Sequence, residues 1–354
     1  MIEKRAVAAG IAAVALLAAA PGAFAKTYNL TAGPVSRPPN KQLDADAFFS
    51  KKITIHRGDT VSWAIHGFHT VAFPGKGKQP PPLIIANAAS PVLGALDPAG
   101  VPFWFNGKAP SLQVNPLAQL PAGGHTYTGS GYANSGLPPG GPGKPFAYKL
   151  KFSKTGSFRY FCIVHPGMEG TIKVVAPGRK AQTPGQVHAA ALAQQARVFK
   201  QAALLGKIKP AGGHVRVGND SNGATWLRFF PHNRTVKVGQ TVTFDMHARD
   251  EIHTVTFGPE SYTLGLENSF TQVTPQPGGP PSVSLDPVSA YSSDPRPLPP
   301  YDGTNHKIGF ENSGILSNTG PQPSSASFTF TKPGTYRYEC VIHQGMDGTI
   351  TVTA

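Results

Sequence analysis

The chain is poor in cysteine, in methionine and in charged residues. Its 354 residues include only 2 cysteines and 4 methionines, and only 14% of them are charged. Two cysteines exclude a small fold held together by a disulfide framework, since such folds use several pairs. Beyond Ala20 no apolar run reaches the roughly 20 residues that a membrane-spanning helix needs, so we expect no spanning segment there.

Acidic residues are also scarce, and the charge balance is basic. There are 32 Lys and Arg residues against 18 Asp and Glu residues, which gives a formal net charge of +14. The basic residues are scattered among Pro and Gly rather than clustered along a helix, so no nucleic-acid-binding surface is predicted. An acidic partner or an anionic envelope surface suits this charge better.

The first 25 residues have the pattern of a secretory signal. A basic start at Lys4 and Arg5 precedes an apolar run that ends near Ala20, and a small-x-small cleavage pattern ends at Ala25. A retained N-terminal anchor is the alternative interpretation. We therefore expect an exported mature protein, in the periplasm or outside the cell, with no transmembrane segment after cleavage.

Two segments of the chain repeat each other. Residues 154–175 read KTGSFRYFCIVHPGMEGTIKVV and residues 332–353 read KPGTYRYECVIHQGMDGTITVT, with more than half of the positions identical. Residues 58–73 and 239–257 form a second matching pair, in which the later copy has extra residues before its last histidine. Similarity of this kind indicates that a whole domain has been duplicated.

Both copies alternate apolar and polar side chains with the period of β-strands. Phe158, Tyr160 and Cys162 share one face of a strand, which is followed by a Gly-containing loop and another strand. We therefore predict an all-β fold with two tandem sandwiches, one domain at 26–176 and the other at 214–354.

Residues 177–213 predict a helical linker between the two domains. Thr183 and Gln186 have the spacing of a capping box, and Gly206 suits the end of a helix. The apolar stripe between them predicts that one face of this helix packs onto a domain.

Each domain carries a long insertion rich in Pro and Gly, at roughly 74–133 and 258–311. Both insertions contain Leu-Asp-Pro, at 96–98 and 285–287, which suggests that the insertion was present before the duplication. Long segments of this kind can cover a metal site, build the interface between domains or form a docking surface. The apolar run at 101–105 is expected to be buried.

The residues that carry chemistry occur as two copies of the spacing C-x-x-H-x-x-M. They are Cys162, His165 and Met168 in the first copy, and Cys340, His343 and Met346 in the second. A thiolate, an imidazole and a thioether on one tight loop form a soft donor set that suits copper. A second imidazole would complete a His₂Cys plane, and the candidates are His69 and His253, which both begin the motif His-Thr-Val-x-Phe.

Two competing interpretations involve the same residue types. Export favours a disulfide between Cys162 and Cys340, but their equivalent positions place each cysteine inside its own domain. His66 and His247 also align with each other, but the shared motif follows the later histidine of each copy. We therefore predict that His66 and His247 are not metal ligands.

These motifs resemble the plastocyanin/azurin family of blue copper proteins, the cupredoxins. The upstream histidine with its apolar strand and the short cysteine loop match at the ends of each repeat. The resemblance implies a Greek-key β-sandwich with one type 1 copper ion per domain, which cycles between Cu(I) and Cu(II) and serves electron transport. It also implies that the edge of His165 or His343 lies near the surface, as the electron port toward redox partners.

No catalytic copper is predicted. The sequence has no His-x-His pair of the kind that multicopper oxidases use, and no histidine stands next to either cysteine. Copper storage or delivery is the main alternative function, although the chain lacks the Met- and His-rich tracts typical of it. An oxidase or reductase with an unrecognised site is a weaker alternative. We expect an electron carrier rather than an enzyme.

Overall fold

The computed structural model describes residues 25–139 and 146–354. The predicted signal falls on residues 1–25 and therefore lies, except for its last residue, outside the described residues. Within those two ranges, no helix combines the length and the apolar character that crossing a membrane requires.

The first unit of the chain is built mainly from short strands. In chain order these are β1 (Thr27–Ala32), β2 (Leu43–Asp44), β3 (Phe48–Phe49), β4 (Lys52–His56), β5 (Thr60–Ile65), β6 (Ala72–Phe73), β7 (Ile84–Pro91), β8 (Pro110–Val114), the short helix α1 (Pro116–Gln119), β9 (Thr126–Tyr127), β10 (Ala133–Asn134), β11 (Phe146–Phe152), β12 (Gly156–Phe161) and β13 (Glu169–Val175).

A long helix and a second unit follow. In chain order these are α2 (Pro184–Leu205), β14 (His214–Ser221), β15 (Ala224–Phe230), β16 (Asn233–Lys237), β17 (Thr241–Met246), β18 (Thr256–Phe257), α3 (Glu260–Ser269), β19 (Thr271–Gln276), β20 (Gly279–Leu285), α4 (Pro287–Ala290), a 3-10 turn (Asn305–Lys307), β21 (Glu311–Asn312), β22 (Ser325–Thr329), β23 (Gly334–Glu339) and β24 (Asp347–Thr353).

The first unit consists of two five-stranded sheets around one core. One sheet has the order β3-β1-β5-β11-β9 and the other the order β10-β6-β12-β13-β4. β1 is parallel to β5, and β4 is parallel to β13, so strands far apart in the chain lie side by side, as in Greek-key sandwiches. Trp63, Phe73 and Tyr160 are buried between the sheets, and the rings of Trp63 and Tyr160 are 5.4 Å apart.

The second unit repeats this arrangement. Its sheets have the orders β2-β15-β14-β17-β22 and β16-β24-β23-β18-β21, with β14 parallel to β17 and β16 parallel to β24. The all-β fold with two tandem sandwiches, predicted from the sequence, is therefore confirmed. The edge strand β2 lies in the predicted first domain, yet Asp44 pairs with Thr225 of the second unit. The domain boundaries at 26–176, 177–213 and 214–354 stay a prediction.

The predicted linker helix is present as α2. Thr183 caps it, the reciprocal hydrogen bonds with Gln186 complete the capping box, and the helix ends at Gly206. It packs onto both units rather than onto one. Its buried stripe contacts Phe49 of the first unit and Trp226 of the second, whose indole N–H donates to a helix carbonyl over 2.8 Å. The helix therefore fixes the two units against each other.

The two insertions pair with each other. Each one forms a hairpin, β7–β8 in the first unit and β19–β20 in the second, and β8 joins β20 through the pair Gln113 and Ser284. The result is one four-stranded sheet in the order β19-β20-β8-β7, with strands from both units. Among the roles that the sequence left open for these segments, building the interface between the units is therefore one that the structure supports.

The apolar run at 101–105 also lies at this interface. Phe103 and Phe105 are buried in a cluster with Phe310 and Val341 of the second unit, whereas Val101 is 56% exposed. The expected burial therefore holds for the two phenylalanines and is wrong for Val101 and Pro102, which are exposed. Because Val341 directly follows Cys340, the first unit's insertion packs against the cysteine loop of the second unit.

The two Leu-Asp-Pro segments are not structurally equivalent. Asp286 caps α4 by accepting a hydrogen bond from a backbone N–H of that helix, but Asp97 lies in a turn. The counterpart of Asp286 in the first unit is Asn115, which caps α1 in the same way. The shared hairpin and capped helix, rather than the Leu-Asp-Pro match, are what the two insertions have in common.

Candidate metal centres

Each cysteine lies at the end of a strand, on a loop closed by backbone hydrogen bonds. Cys162 follows β12, and its N–H donates to the carbonyl of Met168 over 2.9 Å, while the Met168 N–H donates to the carbonyl of His165 over 2.9 Å. The copy at Cys340 has the same two bonds, at 2.9 and 3.1 Å. The C-x-x-H-x-x-M spacing therefore folds into a compact loop that returns the methionine to its cysteine.

The upstream histidine reaches this loop through strand pairing. In the first unit β6 pairs with β12, with Ala72 opposite Phe161, so His69 arrives beside Cys162. In the second unit β18 pairs with β23, with Thr256 opposite Glu339, and His253 arrives in the same way. Residues that are distant in sequence are thus brought together by the sheet.

The first site joins two imidazoles and one thiol. The Sγ of Cys162 lies 3.5 Å from Nδ1 of His165 and 3.9 Å from Nδ1 of His69. The two Nδ1 atoms are 2.8 Å apart. Met168 is buried in the same core cluster as Cys162. Three of the four predicted ligands of the first site, His69, Cys162 and His165, therefore converge on one place.

The second site has nearly the same geometry. The Sγ of Cys340 lies 3.6 Å from Nδ1 of His343 and 3.7 Å from Nδ1 of His253, and the two Nδ1 atoms are 3.0 Å apart. Met346 is buried with Cys340 in the core of the second unit. Both cysteines are free thiols, so the competing disulfide between them is not formed.

A threonine after each upstream histidine supports the thiol, a feature that the sequence analysis did not identify. The N–H of Thr70 points at the Sγ of Cys162 over 3.4 Å, and the hydroxyl of Thr70 accepts from the N–H of Ile163 over 2.8 Å. Thr254 makes the corresponding contacts with Cys340 and Val341 at 3.4 and 3.0 Å. The threonine of the shared His-Thr-Val-x-Phe motif was the sequence signal from which this role could have been predicted.

The Asn-Ser-Gly segments, which repeat at 134–136 and 312–314, hold the histidine strand in place. The hydroxyl of Ser135 accepts the N–H of Val71 over 2.9 Å, and that of Ser313 accepts the N–H of Val255 over 2.8 Å. Asn134 donates to three carbonyls at the end of α1. The insertion and the metal-ligand strand are therefore fastened together in both units.

A glycine lies against the outer edge of each upstream histidine. Gly33 and Gly218 both have positive φ. A Cβ on Gly33 would come within 2.9 Å of Nε2 of His69, and a Cβ on Gly218 would come within 2.5 Å of Nε2 of His253. A larger residue would therefore displace the imidazole as well as strain the backbone.

The surroundings of both thiols favour the thiolate. Burial alone raises the pKa of Cys162, but the nearby His165 and the hydrogen bonds from both imidazoles outweigh it and hold that pKa well below its usual range. In the same way, burial is outweighed at Cys340 by hydrogen bonds from His253 and His343, and the pKa is again lowered. Because the thiolate is the form that binds metals, both sites are prepared for a cation.

The donor set fits a copper ion. In each site one sulfur and two nitrogen donors lie within 4.8 Å of one another and are almost entirely buried. Two imidazoles and one thiolate with a nearby thioether are the donors that trigonal copper sites with a weak axial ligand use. One ion bound between them would give the sulfur and the two ring nitrogens a common partner. Without an ion, these three atoms only partly satisfy each other's hydrogen-bonding capacity.

His66 and His247 lie outside both groups of possible ligands among the described residues. His66 forms a hydrogen bond of 2.8 Å with the carbonyl of Pro34.

The expected surface position of the loop histidines is wrong. The side chains of His165 and His343 are 6% and 15% exposed, and both face Glu251. One carboxylate oxygen lies 3.1 Å from Nε2 of His165, and the other lies 3.2 Å from Nε2 of His343. Burial alone lowers the pKa of His343, but Glu251 outweighs it and raises that pKa to about 10. The edges of the two loop histidines therefore face each other across the interface between the units.

A third cluster surrounds His306, which the sequence did not connect with any partner. Its ring nitrogens lie 2.9 Å from Asp97 and 2.9 Å from Asp294, and Glu311 is close by. Burial alone lowers the pKa of His306, but hydrogen bonds with the two aspartates raise it above its usual value. Both ring nitrogens have a carboxylate partner, so this cluster is an ion-pair network when the imidazole is protonated.

Comparison with known proteins gives structural matches only. No family model matches the chain, and no curated protein matches it. Plastocyanin from Dryopteris crassirhizoma is 21% identical and covers 40% of this chain and 99% of its own, with a TM-score of 0.21. Auracyanin B is 18% identical over 40% of this chain and 87% of its own, with a TM-score of 0.24. A purple cupredoxin from Nitrosopumilus maritimus is 19% identical. The match covers 40% of this chain and 98% of the cupredoxin, with a TM-score of 0.21.

These TM-scores are low. Both units are β-sandwiches by their own strand order, and each holds one His-Cys-His group.

Proposed function

We propose that this chain is an exported copper protein with two mononuclear type 1 sites that carry single electrons between redox partners. His69, Cys162, His165 and Met168 would hold one ion, and His253, Cys340, His343 and Met346 would hold the other. The observation that carries the proposal is that each buried free thiol lies within 3.9 Å of two imidazole nitrogens, twice in one chain.

The residues around each site would do four things for such an ion. The closed loop fixes the spacing of cysteine, histidine and methionine, and the sheet fixes the second histidine. The N–H groups of Thr70 and Thr254 stabilise the charge on each sulfur. Burial excludes water, and hydrogen bonds around the sulfur set the reduction potential. The bound copper would supply the one-electron chemistry.

An electron carrier is favoured over copper storage by the depth of the sites. Cys162 and Cys340 are 1% and 2% exposed, and His69 and His253 are fully buried. A ligand exchange reaction with a copper acceptor needs at least one accessible donor, and neither site offers its thiolate to solvent. Catalysis at a second metal is not part of the proposal, because the cluster around His306 is fully engaged in ion pairs.

An acidic redox partner is also proposed. Lys76, Lys78, Lys154 and Arg159 line one cleft on the first unit, next to Phe161, which precedes Cys162. A basic cleft beside the cysteine strand, on a chain of net charge +14, would steer an acidic partner toward the first site.

The test is a redox titration of the copper-loaded mature protein in the presence of a Cu(I) chelator. The proposal predicts that two electrons per chain are taken up and released reversibly, with no copper lost to the chelator. Rapid transfer of copper to the chelator on reduction would favour storage or delivery instead. Turnover of oxygen or nitrite by the same sample would favour an enzyme.

A further inference from the structure

The segment before His253 is longer than its counterpart before His69, and the extra length has a structural role. Asp220 receives hydrogen bonds from the backbone N–H groups of Arg249 and Asp250, the latter over 2.7 Å, and so anchors this segment to its own unit. The carboxylate of Asp250 in turn lies directly against Gly167, in the cysteine loop of the other unit, and a Cβ on that glycine would clash with it. The segment is therefore held against both units.

Glu251 is placed by this segment between the two metal centres. Its side chain is 9% exposed and has one oxygen on each loop histidine, 3.1 Å from His165 and 3.2 Å from His343. Since Nδ1 of each ring faces the thiol, Nε2 is the nitrogen that faces the carboxylate. Two close contacts between ring nitrogens and one carboxylate, of 3.1 and 3.2 Å, thus connect the two donor sets.

The connection is short and continuous. From the Sγ of Cys162 it runs over 3.5 Å to the ring of His165, over 3.1 Å to Glu251, over 3.2 Å to the ring of His343 and over 3.6 Å to the Sγ of Cys340. The rest of the interface excludes water from it, since both rings and the carboxylate are nearly buried.

We propose that Glu251 is the bridge through which the two centres exchange electrons, so that the chain works as one coupled two-electron unit rather than as two independent carriers. This inference rests on the proposed function. In the exchange, one centre loses one electron and the other gains it, and no proton or other reactant is consumed. An external electron that enters at either centre is thereby shared between both.

A buried ion pair is weak evidence for stability alone, because the cost of burying the charges offsets much of the attraction. The geometry has a more specific property, namely that each carboxylate oxygen serves one imidazole. The variant Glu251→Gln keeps the size of the side chain but replaces one acceptor by an NH₂ group. It therefore breaks one of the two links and leaves both sets of metal ligands intact.

The rate experiment uses the full copper-loaded chain with the axial Met346→Gln change, which gives the second centre its own spectrum. A pulse of a one-electron reductant is followed by the redistribution of the electron between the two absorption bands. We expect a first-order phase that is independent of protein concentration and that slows by about tenfold or more in Glu251→Gln. Glu260→Gln is the matched control, because Glu260 is 65% exposed and pairs with Arg337 at the surface.

A second measurement examines the bridge without copper. In the metal-free chain, nitrogen NMR is expected to show the Nε2 signals of His165 and His343 shifting together in Glu251→Gln, with His306 unchanged. An unchanged exchange rate in Glu251→Gln, with both coppers retained, would overturn the inference and leave the proposed function standing. Failure of the wild-type chain to bind two coppers would instead remove the proposed function.

Discussion

Asp46 Oδ1 lies 3.8 Å from His165 Nδ1, and both oxygens of this carboxyl group are buried without a hydrogen-bond partner among the described residues. Burial raises the pKa of Asp46, and the charge of His165 opposes that effect. Asp44 and Asp46 also come close to His69. Among the described residues, no aspartate is grouped with His253 and Cys340, so the two centres differ in their electrostatic surroundings.

This difference predicts unequal reduction potentials. An ionised carboxylate beside a metal stabilises the more highly charged state of the ion, so at a pH above the raised pKa of Asp46 the change Asp46→Asn is expected to raise the potential of the first centre. The measurement is potentiometry in the Cys340→Ser background, where only the first centre holds copper. In the Cys162→Ser background the same change should leave the potential of the second centre unaltered. A potential of the first centre that stays constant or falls would contradict the prediction.

The hydroxyl of Thr70 should matter for stability as well as for the thiol. Thr70→Val keeps the shape of the side chain but leaves the buried N–H of Ile163 without its acceptor, which should cost about 1 to 3 kcal/mol. Denaturant unfolding of the metal-free chain measures this change. Thr271→Val, on the exposed strand β19, is the control and should change stability by less than about 0.5 kcal/mol. Equal effects of the two variants would refute the role of Thr70.

The ion pairs of His306 predict a dependence of stability on pH. The pKa of His306 is raised in the folded chain, so its contribution is complete below its unfolded pKa of about 6.5 and is lost as the pH rises through the raised value. Burial raises the pKa of the neighbouring Glu311 to about 7, which also lowers stability as the pH rises from its unfolded pKa to 7. Asp97 and Asp294, each 2.9 Å from one ring nitrogen of His306, supply the attraction.

His306→Gln should therefore destabilise the chain by about 1 to 2 kcal/mol at pH 6 and by much less at pH 9. Thermal unfolding across this pH range is the measurement, and the exposed His125→Gln is the control. A destabilisation that grows with pH would contradict this account of the His306 ion pairs.

The interface between the units should depend on Phe105. This ring is fully buried with Phe310 and Val341 of the second unit, so Phe105→Ala should cost about 3 to 5 kcal/mol. It should also separate the unfolding of the two units, which calorimetry would show as two transitions in place of one. Leu93→Ala, at a position 74% exposed in the same insertion, should do neither. A single, unshifted transition in Phe105→Ala would contradict this view of the interface.

The sequence was sufficient to predict those features of the molecule that depend on neighbouring residues or that occur twice in the chain. The two C-x-x-H-x-x-M loops could be predicted because scarce residue types recur in them at identical spacing, and the helix could be predicted from the capping box at Thr183. His69 and His253 followed from a motif that both copies share. Each of these signals is contained within a few neighbouring residues.

The way in which the two units pack together left no comparable pattern in the sequence. The pairing of β8 with β20 joins residues far apart in the chain, and neither hairpin alternates in a way that identifies its partner. Glu251 was visible only as part of a few extra residues, and Asp46 belongs to a segment without a repeat. The burial of His165 and His343 depends on how two folded units meet, which no local pattern encodes.

The most direct test of the account is the copper content of the mature chain and of its two single cysteine variants, measured together with the intense thiolate-to-copper absorption. The account predicts two coppers in the wild-type chain, one copper and about half of the colour in Cys162→Ser or in Cys340→Ser, and neither in the double variant. Full copper content and full colour in either single variant would show that its thiol is not a ligand and would contradict the account.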